Sequence, residues 1–169
     1  MSKTRRILGI DTSLRSSGIG IVEMTGNRLS AVDYETVKVS SKASLSECLR
    51  SLHNAIDAAI ERTHPDAAAI EGVFYCKNFK TAFVLGEARG VAIHACACRK
   101  LEVYEYAPRK VKQAIVGFGG ASKKQIQEMI TRLLALESAP REDEADALAI
   151  AICHLHSITG AGALQMKTV

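Results

Sequence analysis

The sequence predicts an α/β protein with a five-stranded mixed sheet, three antiparallel strands and then two parallel ones, flanked by helices on both sides. Three observations predict it. Up to Val39 the chain holds three apolar or alternating segments separated by short polar connections, the pattern of consecutive antiparallel strands. From Ser44 onward, short apolar segments alternate with stretches whose apolar residues recur every three or four positions, the pattern of strands joined by crossover helices. The composition, 47% hydrophobic and 24% charged over 169 residues, is that of one globular domain able to bury a sizeable core.

The first strand is Arg6-Ile7-Leu8-Gly9-Ile10-Asp11. Between its charged ends every side chain is apolar or absent, as in a strand covered on both faces. Asp11 stands where that strand opens toward solvent and is followed by Thr12-Ser13. Gly18-Ile19-Gly20-Ile21-Val22-Glu23 is the second strand. Leu29 to Val39 is the third, joined to the second by the hairpin turn Thr25-Gly26-Asn27-Arg28. Leu45, Leu49, Leu52, Ile56 and Ile60 mark one face of a helix, with Ser44 as its cap, Glu47 at the capping-box position and His64-Pro65-Asp66 as its stop. Ala67-Ala68-Ala69-Ile70-Glu71 is a short apolar strand ending in a second carboxylate. A right-handed crossover makes it parallel to the first strand, so that Glu71 lies beside Asp11. In the following Gly72-Val73-Phe74-Tyr75-Cys76-Lys77-Asn78, Phe74 reads either as a core anchor or as an exposed wedge able to stack on nucleobases.

A long helix is expected from Lys77 to Arg99. Ala82, Gly86 and Gly90 line one of its faces, small enough to seat either the chain's own sheet or a second copy of the helix. Glu102 to Tyr106 is the fifth strand. Pro108 opens a helix to Val116 that carries Arg109, Lys110 and Lys112, and Gly117-Phe118-Gly119-Gly120 ends it. Ser122 caps the next helix with Gln125 at the capping-box position. Its first turn holds Lys123 and Lys124, which oppose the helix dipole unless they face phosphates; a solvated basic face is the other reading. The last helix follows Arg141. Asp143 and Asp146 share one of its faces, and Asp146 is in line with Ile150, so that face points inward with no Lys or Arg on the helix to pair it. Residues 1–158 read as one domain and 159–169 as a flexible C-terminal tail.

The net charge of +4 is compatible with a nucleic-acid partner. The five cysteines form no Cys-x-x-Cys pair and read as reduced thiols of a cytoplasmic protein. The longest apolar runs fall short of the ~20 residues of a membrane span, so no membrane association is expected. The chemistry lies in the acids. Asp11, Glu71, Asp143 and Asp146 come from two adjacent strand ends and one helix face. Such hard oxygen donors suit Mg2+, with Mn2+ as a substitute, and not zinc. Four carboxylates can hold two ions roughly 3.5–4 Å apart, one activating a water and the other stabilising the leaving oxygen of a phosphodiester.

With these acids in place the chain resembles the RuvC family of bacterial Holliday junction resolvases, within the ribonuclease H fold. The stretches that carry the resemblance are Ile7-Leu8-Gly9-Ile10-Asp11, Ala69-Ile70-Glu71-Gly72-Val73-Phe74, Lys77-Asn78, Leu85-Gly86-Glu87-Ala88-Arg89-Gly90-Val91-Ala92, Tyr106-Ala107-Pro108-Arg109-Lys110-Val111-Lys112-Gln113 and Asp143-Glu144-Ala145-Asp146-Ala147-Leu148. They run over nearly the whole chain in order. The resemblance implies that Asp11, Glu71, Asp143 and Asp146 are the catalytic, metal-holding acids. It implies that Phe74 stands near the junction crossover and that Lys112 and Lys123 touch the DNA backbone, with Lys77, Arg109 and Lys124 as further DNA contacts. It also implies a homodimer through the Lys77–Arg99 helix, paired hydrolysis of four-way junction DNA leaving 5′-phosphate and 3′-hydroxyl ends, and work alongside the RuvA–RuvB branch-migration complex. In one place the chain departs from the family, which usually follows the first acid with Pro-Gly where this chain has Thr12-Ser13.

Other classes of function fit less well. A junction-binding module that no longer cuts would not need all four acids. A sugar-kinase or actin-like ATPase also begins with a strand ending in Gly-x-Asp, but needs two lobes and phosphate-gripping loops for which this chain is too short. A ribonuclease H-fold nuclease of pre-ribosomal RNA is a nearer rival, against which stand the Asp143/Asp146 helix and the small-residue seam.

Overall fold

The computed structural model describes residues 4–72, 78–159 and 167–169. The first three strands are β1 (Thr4–Asp11), β2 (Ser16–Thr25) and β3 (Arg28–Lys38), antiparallel in sequence. Helix α1 (Leu45–Thr63) crosses over to β4 (Ala67–Glu71), which runs parallel to β1 with Ile10 opposite Ile70. Helix α2 (Phe79–Cys98) leads to β5 (Val103–Tyr106), parallel to β4 with Glu71 opposite Tyr106. Helices α3 (Pro108–Val116), α4 (Lys123–Leu133) and α5 (Glu142–Thr159) follow. Both expected capping boxes form, Ser44 with Glu47 and Ser122 with Gln125, and His64 ends α1 in the left-handed conformation.

The sheet has six strands, not the five expected. Lys167–Thr168, in the segment read from sequence as a tail, form β6 and pair antiparallel with Tyr104 and Glu105 of β5, giving the order β3-β2-β1-β4-β5-β6. Two residues are too few for any periodicity to announce them.

Alternation along the strands divides the core between two layers. Ile7, Val22, Ala69 and Tyr106 face α3, α4 and α5, together with Val111, Ile130, Leu148 and Ile152. Leu8, Ile10, Ile19, Ile21, Ile70 and Val103 face α1 and α2, together with Leu52, Ile56, Ala88 and Ala92. Asp11 and Glu71 share the side of Gly9 and Ala69, toward α5. That helix packs on the sheet at backbone distance. A Cβ added to Gly9 would meet the Ala147 carbonyl oxygen at 2.0 Å, and one on Gly18 the Asp143 carbonyl oxygen at 1.8 Å. Only glycine at these two places lets the first turns of α5 come down beside the end of β1.

Candidate active site

At the β1/β4 edge, Asp11, Glu71 and Asp146 face one cavity of about 300 Å³, with Lys112 of α3 and Lys123 of α4 among its other walls. The parallel pairing of β1 with β4 supplies the two strand-end acids side by side. The close approach of α5 supplies Asp146, one turn into that helix. Asp143 stands at the margin, where the Ser16 hydroxyl donates to its Oδ2 at 2.5 Å.

Burial and mutual repulsion set the protonation of this cluster. Burial, and then the charges of Asp146, Glu71 and Asp143, push the Asp11 carboxyl up to about 7 from an ordinary 3.8, against the pull of Lys123. Glu71 is raised by burial and by Asp146, with Lys112 and Lys123 opposing. Asp146 is raised by burial, opposed by Lys123, with Glu142 and Asp143 adding to the rise. Lys123 pairs with Glu142, reaches to 3.7 Å from Asp146 Oδ2, and is itself held above its usual range, first by Glu142. The partner that Asp146 lacks on its own helix therefore comes from α4.

Among the described residues, no three His, Cys, Asp or Glu side chains are drawn together tightly enough to make a ready coordination shell. The donor chemistry nonetheless fits hard divalent cations. The acids are all carboxylates, and three of them carry raised affinities for protons that a cation would replace.

Of the basic residues singled out from sequence, Lys112 and Lys123 line the cavity, whereas Arg109 and Lys124 are exposed outside it. Phe74 and Lys77 lie outside the described residues. Ala82, Gly86 and Gly90 lie along α2. A Cβ on Gly86 or Gly90 would meet nothing within 4 Å, and Phe79 and Phe83 beside that stripe are 83% and 72% exposed. Packing on the chain's own sheet is thus not what the small residues serve; α2 buries Ala88, Ala92, Ala95 and Cys96 there instead.

Sequence reasoning missed several supports of the site. Ser13 Oγ accepts from Ser16 N–H at 3.1 Å, Ser13 N–H donates to Ser17 Oγ at 3.1 Å, and Ser17 Oγ donates to the Ser13 carbonyl at 2.5 Å. Hydroxyls thus close the turn that carries Thr12-Ser13. Glu144, which no sequence pattern above assigned a role, is buried. It accepts from Arg141 N–H at 2.8 Å and Thr36 Oγ1 at 3.1 Å, and so anchors the start of α5 to β3. The Ser13–Ser17 spacing is visible in the sequence; the Thr36–Glu144 pair, 108 residues apart, is not.

A ribonuclease H-type sheet with carboxylates gathered where β1, β4 and α5 meet, flanked by lysines, defines the nucleases of this fold. Comparison narrows the class. The family model of the crossover junction endodeoxyribonuclease RuvC matches residues 7–154. A relative of that description from Alkaliphilus metalliredigens is 49% identical over 152 residues, 89% of this chain and 93% of the relative. One from Idiomarina loihiensis is 45% identical over 171 residues, covering 96% of each. The solved structure of Thermus thermophilus RuvC in complex with a Holliday junction substrate is similar with a TM-score of 0.89 at 31% identity, covering 98% of this chain and 99% of that one. The yeast mitochondrial Holliday junction resolvase Ydc2 shares the fold, with a TM-score of 0.63 at 11% identity over 90% of this chain and 78% of that one. The chain belongs to the RuvC family, and it is a junction-resolving endodeoxyribonuclease.

Proposed function

We propose that the chain cuts four-way junction DNA at the β1/β4/α5 site, with Asp11, Glu71, Asp143 and Asp146 holding two Mg2+ ions, for which Mn2+ can substitute. The carrying observation is the convergence of Asp11, Glu71 and Asp146 on one cavity walled by Lys112 and Lys123, an acid cluster inside a basic rim. Divalent ions bound there would supply an activated water and charge neutralisation at the leaving oxygen. The chain's own residues do the rest. Asp11 and Glu71 project from rigid strand ends, so their aim is set by the sheet. Ser16 holds one oxygen of Asp143 and leaves the other available. Lys112 meets a phosphate entering the cavity and draws the backbone toward the acids. Lys123, engaged with Glu142 and Asp146 at the cavity wall, would offer its ammonium to a phosphate seated beside the acids. Arg109 and Lys124, exposed on the same two helices, extend the backbone contact outward. Lys77, as a further DNA contact, and Phe74, at the crossover, are carried here by the family resemblance alone.

A junction has two equivalent strands to cut, and the exposed Phe79, Phe83, Gly86 face of α2 supports a twofold dimer that offers two equivalent sites. Family membership supports RuvA–RuvB as functional partners. No described helix is long and apolar enough to cross a membrane. The reading is tested with a synthetic four-way junction and a linear duplex of the same sequence, with and without Mg2+. Paired symmetric nicks in the junction alone, dependent on the ion, are expected. Asp146→Asn should abolish cutting and leave gel-shift binding of the junction intact, because it removes a ligand charge while Lys123 keeps its closer partner Glu142 and its place in the rim. Cleavage of the linear duplex at an equal rate, or loss of binding together with cutting, would refute it.

A further inference from the structure

The acids lie on the α5 side of the sheet, yet one cation reaches their frame from the opposite side. Arg89 belongs to α2. Its Nη1 donates to the Glu71 main-chain carbonyl at 3.1 Å, and its Nη2 pairs with the Glu105 carboxylate. Its side chain is only 13% exposed and that of Glu105 20%. Two donors of one planar guanidinium are therefore committed to two different strands, the last residue of β4 and the penultimate residue of β5. The Gly72 N–H donates to the Tyr106 carbonyl at 2.9 Å and closes the same corner. Lys167 reaches the other oxygen of Glu105 at 3.3 Å.

Burying a guanidinium needs a reason, because stripping it of water costs more than an exposed pair returns. Ordinary β pairing already holds β4 to β5 through Glu71. The ladder ends there, since residue 71 is the last to find a partner: the Gly72 N–H holds the following peptide from one side, and Arg89 holds its Glu71 carbonyl from the other. That doubly held peptide anchors the Glu71 Cα from which the carboxylate projects. The carbonyl that Arg89 holds is the one at that residue. On α2, Arg89 follows Gly86 by three positions and Ala82 by seven, so it borders the exposed small-residue stripe on one side and the buried Ala88–Ala92 stripe on the other.

We propose that Arg89 is a positioning residue for the nuclease site: braced by Glu105, it fixes the main chain at Glu71 and references the aim of that carboxylate to helix α2. The proposal rests on the reading of Glu71 as a metal-holding acid. Arg89 touches neither DNA nor metal in this role; it acts through the backbone. Its geometry cannot be reproduced by lysine, whose single ammonium lacks the fork needed to span both acceptors.

The test is Mn2+ binding by the full-length chain, followed by electron paramagnetic resonance, for wild type, Arg89→Ala, Arg89→Lys and Glu105→Gln. Melting in EDTA and junction gel shifts run on the same preparations. Loss of a partner behind a metal ligand typically lowers metal affinity by 10–100-fold. Arg89→Ala is therefore expected to raise the Mn2+ midpoint about tenfold. Arg89→Lys should stay near the alanine value, and Glu105→Gln should fall between, all with junction binding within about twofold of wild type. A merely structural role would lower the melting temperature in EDTA and leave the Mn2+ midpoint in place, and that result overturns the proposal. Full rescue by lysine also overturns it, because charge alone would then suffice. If Arg89→Ala does not fold, Glu105→Gln decides by the same criteria. Wild-type protein that cuts junctions while every variant binds Mn2+ normally sinks only the role of Arg89; wild-type protein that neither binds Mn2+ nor cuts sinks the metal-site reading with it.

Discussion

Asp11→Asn should make the metal-free protein more stable, by an amount that is absent below about 3.8, grows as pH rises and is complete above about 7. The Asp11 carboxyl titrates at about 7 in the fold against 3.8 as the ordinary value. A group raised in this way contributes stability that is fully present below 3.8 and is lost as pH rises through about 7. The rise of roughly three pH units corresponds to a ceiling of about 4 kcal/mol at pH 8. Solvent reaches the partly open carboxylate, so about half of that, ~2 kcal/mol, is the expected gain on removing the charge. For a chain of this size each kcal/mol moves Tm by about 2–4 °C, so the variant should melt about 4–8 °C higher at pH 8 in EDTA. At pH 4 the two proteins should melt within about 2 °C of each other, since each then carries a nearly neutral side chain at position 11. Comparing the two at each pH removes the other titrations. Burial, and then Arg5, push His154 down to about 4, which lowers stability as pH falls from 6.5, but equally in both proteins. Added Mg2+ should reverse the order at pH 8, because only the wild type gains by binding it. A difference in Tm that is the same at pH 4 and pH 8, or no difference at pH 8, would refute the claim that Asp11 sits in a repelling, dehydrated cluster.

Two further outcomes check the surfaces. Lys112→Ala should lower the slope of log junction affinity against log salt by about 0.9, as expected for one lost phosphate contact; an unchanged slope would make Lys112 part of the cavity wall alone. Gly86→Leu should give monomers by sedimentation that keep the wild-type circular dichroism spectrum, because a side chain there meets nothing within 4 Å in the protomer and leucine favours helix more than glycine. A normal dimer of that variant would remove α2 from the interface.

What the sequence determined by itself was the part of the protein encoded locally. Continuous apolar runs and alternating segments placed β1 through β5, capping residues marked the starts of α1 and α4, and the run Ala67–Glu71 after a helix made a parallel return, setting Glu71 beside Asp11. Asp143 and Asp146 were placed on one face by their spacing of three. Each of these follows from neighbours within one or two turns, which is the range over which periodicity and caps act.

Only the tertiary structure decided the rest. That α5 descends to backbone contact depends on Gly9 and Gly18 standing under it, a fit between elements more than 120 positions apart in the chain. That Lys123 is ion-paired to Glu142 and close to Asp146 depends on how α4 leans on α5. Thr36 on Glu144, Ser16 on Asp143 and Arg89 on Glu71 are contacts across the sheet or between layers, and nothing in the residues near either partner announces them. Polar groups that leave water must find partners wherever the fold brings them, and their choice is made by the packing of whole layers rather than by any local pattern.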